Sequence, residues 1–122
     1  MAAQRKFKTI AALTNAAANI LNGAITSLAG PVGWTPIQPR LIVKHIRIVN
    51  KTAANHTVTL YIGATGASAA GTEFAFNGES IGANNHSDWY GEMTLESTDF
   101  LTGLADANTA LTINIEYEAG FA

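Results

Sequence analysis

Strict period-2 alternation is the feature that most restricts this chain. Leu111-Thr112-Ile113-Asn114-Ile115-Glu116-Tyr117-Glu118 alternates without a fault. Successive side chains of an extended strand point to opposite faces, so Leu111, Ile113, Ile115 and Tyr117 form an inward stripe. Thr57 to Ile62 repeats the pattern with Val58, Leu60 and Ile62. Asp88 to Leu95 places Trp89, Met93 and Leu95 together. Leu41 to Asn50 is rich in β-branched residues, and alternation groups Ile42, Ile46 and Ile48 against His45 and Arg47. Glu73 to Phe76 is a shorter candidate strand.

Turn chemistry separates these runs. Residues 50–55 join two strands at hairpin-like distance. Gly63 to Gly71 and Gly82 to Ser87 are small and polar, and so is Ala105 to Thr109. Asn77-Gly78 is a turn dipeptide. Short strands at such intervals define an all-β fold: an antiparallel β-sandwich or jelly-roll-like single domain. Its core is residues 41–122. Thr9 to Leu21 is alanine-rich and has some helix propensity, but it lacks a clean 3.6-residue stripe and reads as an extended strand or arm. Residues 1–40 are therefore expected as an N-terminal arm and a Pro/Gly-rich connection, packed on the core or extending from it. Pro31, Pro36, Pro39, Gly30 and Gly33 exclude a regular element over residues 29–39.

The 122 residues are 48% hydrophobic, enough for one sizeable core. Only 13% are charged, about half the usual share. The absence of cysteine excludes disulfides, thiolate chemistry and zinc–cysteine sites. No apolar run approaches the roughly 20 residues of a membrane helix, and the N-terminus reads poorly as a signal peptide. The expected setting is a cytoplasm, or a particle assembled in one.

The net charge of −2 conceals a sharp division. All seven basic residues lie at or before Lys51, and all nine acidic residues lie at or after Glu73. Two readings follow: a polarised molecule with an interaction tail, or strands from the two halves that interleave in one sheet and neutralise locally.

No motif assembles chemistry. His45, His56 and His86 have no metal-ligand spacing, and His86-Ser87-Asp88 is adjacency rather than triad geometry. Glu92 and Glu96 share a strand face opposite Met93 and Leu95, as a solvated edge does. Gly63, Gly66 and Gly71 are not followed by the Lys-Ser/Thr of a phosphate loop. Asn50-Lys51-Thr52, Asn55-His56-Thr57 and Asn85-His86-Ser87 match the glycosylation pattern, which means little without a secretory signal. No catalytic, cofactor or metal residue is assigned. The basic cluster Arg5-Lys6-Phe7-Lys8 is too thin for a nucleic-acid footprint. It suits a contact with a protein, as do Trp34 and Pro36 on their Pro/Gly-rich loop, since a large aromatic there must meet the core or a partner.

Leu13 to Ala18, the run Val43-Lys44-His45-Ile46-Arg47-Ile48-Val49-Asn50-Lys51-Thr52, the strand His56 to Gly63, and Trp89 to Leu95 leading into Leu101 to Ala105 occur in an order that resembles small β-sandwich virion proteins of tailed bacteriophages. The resemblance spans roughly residues 41–118, and more weakly 9–21, and departs from the family pattern over Ile25–Pro39. It implies a non-enzymatic capsid decoration (cement) protein, bound to the major capsid protein or other virion proteins. It also implies a homo-oligomer, a trimer foremost, located in the virion and assembled in the host bacterial cytoplasm. No direct nucleic-acid or membrane role is implied. The alternatives are a neck or tail subunit (fibre, tube or tip), and a carbohydrate- or receptor-binding β-sandwich that uses Trp89, Tyr90 or Tyr61.

Overall fold

The computed structural model describes residues 4–22, 40–63, 72–96 and 99–120, with side chains described for 8–21, 41–63, 72–96 and 99–118 of them. Eight strands follow one another: β1 Gln4–Ala12, β2 Ala18–Asn22, β3 Arg40–Asn50, β4 His56–Gly63, β5 Glu73–Ile81, β6 Asn85–Leu95, β7 Phe100–Ala105 and β8 Leu111–Gly120. All pairings are antiparallel. One sheet has the order β1-β8-β3-β6 and the other β2-β7-β4-β5. Among the described strands, only β4 and β5 are consecutive neighbours in one sheet; the other consecutive pairs lie in different sheets. Two four-stranded sheets wound in this order are a jelly roll.

The inner faces meet in one core. Leu41, Val43, Ile46 and Ile48 of β3 and Leu111, Ile113 and Ile115 of β8 are fully buried. Val58, Leu60, Phe76 and Leu101 face them from the second sheet. Each buried Leu or Ile contributes roughly 1.5–3 kcal/mol relative to exposure. Leu13, between β1 and β2, is buried in the same cluster. Residues 4–12 and 18–22 are thus strands of the sandwich itself, β1 beside β8 and β2 beside β7.

Four local expectations are corrected. Ile42 does not share the inner face with Ile46 and Ile48. The pairing of β3 with β8 shifts between Val43 and His45, so Lys44 sits in a bulge and the phase reverses. Leu41 and Val43 point inward before the bulge, Ile46 and Ile48 after it. Asn77-Gly78 is not a turn: Gly78, at φ 63°, is the extra residue of a bulge within β5, opposite the Val58–Thr59 step. A left-handed glycine serves a bulge as well as a turn. Residues 50–55 do not close a hairpin, because β3 and β4 lie in different sheets. The 82–87 loop shortens to a tight turn: Asn84 has φ 55°, Asn85 N–H donates to Gly82 O at 3.1 Å, and β6 begins at once.

Candidate functional site

The outer face of the β1-β8-β3-β6 sheet gathers most of the ionisable side chains. The register lines them in rows across all four strands: Lys8, Glu116, His45 and Tyr90 in one, Ile10, Asn114, Arg47 and Asp88 in the next. Lys6 pairs in register with Glu118. The strands alternate in sign: β1 basic, β8 acidic, β3 basic, β6 acidic. The two charge halves of the sequence interleave strand by strand, and the polarised alternative falls for these strands.

His45 is the centre of this face. Its Nδ1 lies 2.8 Å from Glu116 Oε1 and its Nε2 lies 2.8 Å from Asp88 Oδ1. A neutral imidazole has one N–H, so two carboxylate partners call for the imidazolium. Burial opposes that charge, but the hydrogen bonds and charges of Asp88 and Glu116 outweigh it and hold His45 above its usual range. The ring stacks on Tyr90 at 4.4 Å between centroids and 9° between planes, a cation–π arrangement. Asp88 Oδ1 also accepts from Arg47 Nε at 2.7 Å. Arg47 first, then His45, holds the Asp88 carboxyl down to about 2. His45 pushes Glu116 down. Lys44, swung out by the bulge, pairs with Glu92 and pushes that carboxyl down as well.

These pairs neutralise one another on an open sheet. A shallow depression of about 310 Å³ lies among Lys8, His45, Arg47, Val49, Asn114 and Glu116. Among the described residues no group of three or more His, Asp and Glu could hold a metal ion, and no helix is long and apolar enough to cross a membrane. His56 pairs separately with Asp106, Nδ1 to Oδ1 at 2.9 Å. His86 lies in β6, with Nε2 3.5 Å from Asp88 Oδ2.

The predicted contact residues divide. Lys8 is exposed on the outer face. Arg5, Lys6 and Phe7 have their backbone in β1, paired with Ala119, Glu118 and Tyr117. Trp34 and Pro36 lie outside the described residues. Trp89 packs against the core, edge-on to Phe74 at 4.9 Å and 73°, whereas Tyr90 is 69% exposed. Asn50 is fully buried with its amide engaged, so it is no glycan acceptor. The His45 cluster itself was missed from the sequence. Its partners come from β6 and β8, and only the outward parity of His45, Arg47 and Glu116 signalled it.

Neither a protein-family model nor a curated protein matches the chain. One similar solved structure is from Bacillus endospore appendages, described as disulfide-linked pili. It shares 16% identity at a TM-score of 0.48, over 99% of this chain and 88% of that one. This chain has no cysteine with which to form such a link. Another comes from the T13 IBDV viral particle, with 9% identity and TM-score 0.43, over 97% of this chain and 31% of that one. A third is from the Gx strain of infectious bursal disease virus, with 10% identity and TM-score 0.39, over 97% of this chain and 32% of that one. The chain thus spans about a third of the two viral chains. At these scores the likenesses do not bear on what this chain does.

Proposed function

We propose that this chain is a non-enzymatic bacteriophage virion protein, a capsid decoration subunit that binds the assembled head and stabilises it through repeated symmetric contacts. One observation carries the reading. Most of the ionisable side chains of the four-stranded outer face pair with one another across an open, shallow surface instead of converging in a deep cleft. Meanwhile the basic N-terminal segment is built into β1, which ends its sheet among the described strands. The free side of such a strand is a template on which a neighbour's strand can add. The major capsid protein is the proposed neighbour. A cyclic homo-oligomer, a trimer foremost, would multiply each small contact. Trp34 and Pro36 remain proposed contacts beside Arg5, Lys6, Phe7 and Lys8.

The test is the copy number of this chain in purified particles, by quantitative mass spectrometry. Hundreds of copies support head decoration. A single ring's worth moves the protein to the neck or tail, and absence from intact particles refutes a virion role. Deleting residues 1–8 should abolish particle binding if β1 augments the shell. Retained binding removes the edge from the mechanism.

A further inference from the structure

From the charge stripes and two exposed apolar side chains, we infer that the outer face of the β1-β8-β3-β6 sheet docks on the same face of a second copy of this chain, about a two-fold axis parallel to the strands. The inference is independent of the virion role.

The strand order decides the symmetry. A two-fold axis along the strands reverses the order, setting β1 over the partner's β6 and β8 over the partner's β3. Every basic strand then meets an acidic one. A two-fold axis across the strands instead sets each strand over its own copy, basic over basic and acidic over acidic. Like charges so juxtaposed are strongly disfavoured. A three-fold axis cannot lay a face upon itself, so a trimer must use another surface.

The apolar residues give a second, separate reason. Ile10 and Tyr90 are the exposed large hydrophobics among the described residues, at 61% and 69%. Both lie on this face, at opposite edges and one row apart. Reversing the order brings Ile10 of each copy to the β6 edge that carries the partner's Tyr90, twice by symmetry. Lys8 shares the Tyr90 row and approaches the same ring, a cation–π contact. Four strands at ~4.8 Å spacing and about eight residues at ~3.3 Å cover roughly 500 Å² per copy. The pair buries on the order of 1,000 Å², at the small end of specific interfaces, so the dimer should be concentration-dependent.

Sedimentation equilibrium of the full chain at low salt should show twice the chain mass, or six times if a trimer also forms. Raising salt should weaken it. Ile10→Ser and Tyr90→Ser should each weaken association about tenfold or more; Ile10→Ser should leave melting nearly unchanged, whereas Tyr90→Ser also gives up the stacking on His45 and should melt slightly lower. Cross-linking then fixes the axis. The chain has no cysteine, and Ala12 and His86 share a row at opposite edges. A short bis-maleimide should join an Ala12→Cys chain to a His86→Cys chain in a mixture, but neither variant to itself. A monomer or trimer at all concentrations overturns the inference. So does self-linking of each variant as efficient as the mixture, or association that survives both serine substitutions.

Discussion

Replacing Asn50 by leucine should cost this fold roughly 3–5 kcal/mol. Asn50 ends β3 where the chain leaves one sheet for the other, and it is fully buried. Its Nδ2 donates to Ala54 O at 2.7 Å and Ile81 O at 3.0 Å. Its Oδ1 accepts from Thr52 N–H at 3.0 Å and from the Thr52 hydroxyl at 2.7 Å. Every hydrogen-bonding position of the amide is used. Thr52 O in turn accepts from Asn84 N–H at 3.0 Å, so one side chain ties the β3–β4 crossing to the β5–β6 turn. Leucine has a similar volume but offers no polar atom. The Ile81 carbonyl is then left buried without this partner, at a cost of ~1–3 kcal/mol. The three partly exposed bonds can be partly replaced by water and lose about 0.5–1 kcal/mol each.

Denaturant unfolding at constant m should read this loss directly, and melting should fall by roughly 12–20 °C for a chain of this size. Asn50→Asp separates the two halves of the amide. It keeps both acceptor contacts but points a carboxylate oxygen at two carbonyls. That raises its folded pKa above the unfolded value near 3.9, so the variant should recover stability as pH falls. Thr52→Ala removes only the hydroxyl and should cost about 1 kcal/mol. A loss below about 1 kcal/mol in Asn50→Leu would refute the role assigned to this corner.

Gly103 of β7 leaves room for Leu13, whose Cδ2 lies 2.7 Å from where a β-carbon would stand, with Ile20 at 3.3 Å. Gly103→Ala should therefore cost ~1–3 kcal/mol by overpacking, and denaturant midpoints without that drop would contradict it. The Trp89 indole lies 2.8 Å from the β-carbon position of Gly91, so Gly91→Ala should displace the ring and redden its fluorescence relative to a Trp34→Phe background; an unshifted spectrum would show that the ring had not moved. For pH, His45 is held above its usual range. Its contribution is complete below the unfolded value near 6.5 and disappears as pH rises through the folded value. Asp88, held down to about 2, contributes above the unfolded value near 3.9 and loses that as pH falls through about 2. The cluster should thus be strongest between about pH 4 and 6.5, and Asp88→Asn should lower the His45 pKa measured by NMR titration.

Alternation found the inner faces wherever a strand runs without a bulge. β8 buries Leu111, Ile113, Ile115 and Tyr117 as its pattern requires. β3 broke the rule because a bulge is set by neighbouring strands, and Lys44 differs from no ordinary strand residue. Asn77-Gly78 misled for a related reason. A glycine reports a local left-handed conformation, and tertiary context decides whether the chain reverses there. The crossing at 50–55 looked like a hairpin because connection length does not say which sheet receives the next strand. His45 and its carboxylates lie 43 and 71 residues apart. Parity had placed His45 outward, but register alone gives it partners.

The division of charge along the sequence acquires a purpose in this topology. The inner faces of β3 and β8 are both β-branched and apolar, and would pair with many neighbours equally well. The outer faces discriminate. Exchanging β1 for β3, or β8 for β6, would keep the alternation of charge, but any order that sets β1 beside β3 or β8 beside β6 juxtaposes like charges. The observed order instead gives Lys6–Glu118, Lys8–Glu116, His45–Glu116 and Arg47–Asp88 as direct cross-strand pairs. Opposite charges across neighbouring strands favour this order and like charges disfavour the alternatives, each exposed pair adding only a small increment. A basic head and an acidic tail on the chain are thus a pairing code, read when β1 closes against β8 from the opposite end of the sequence.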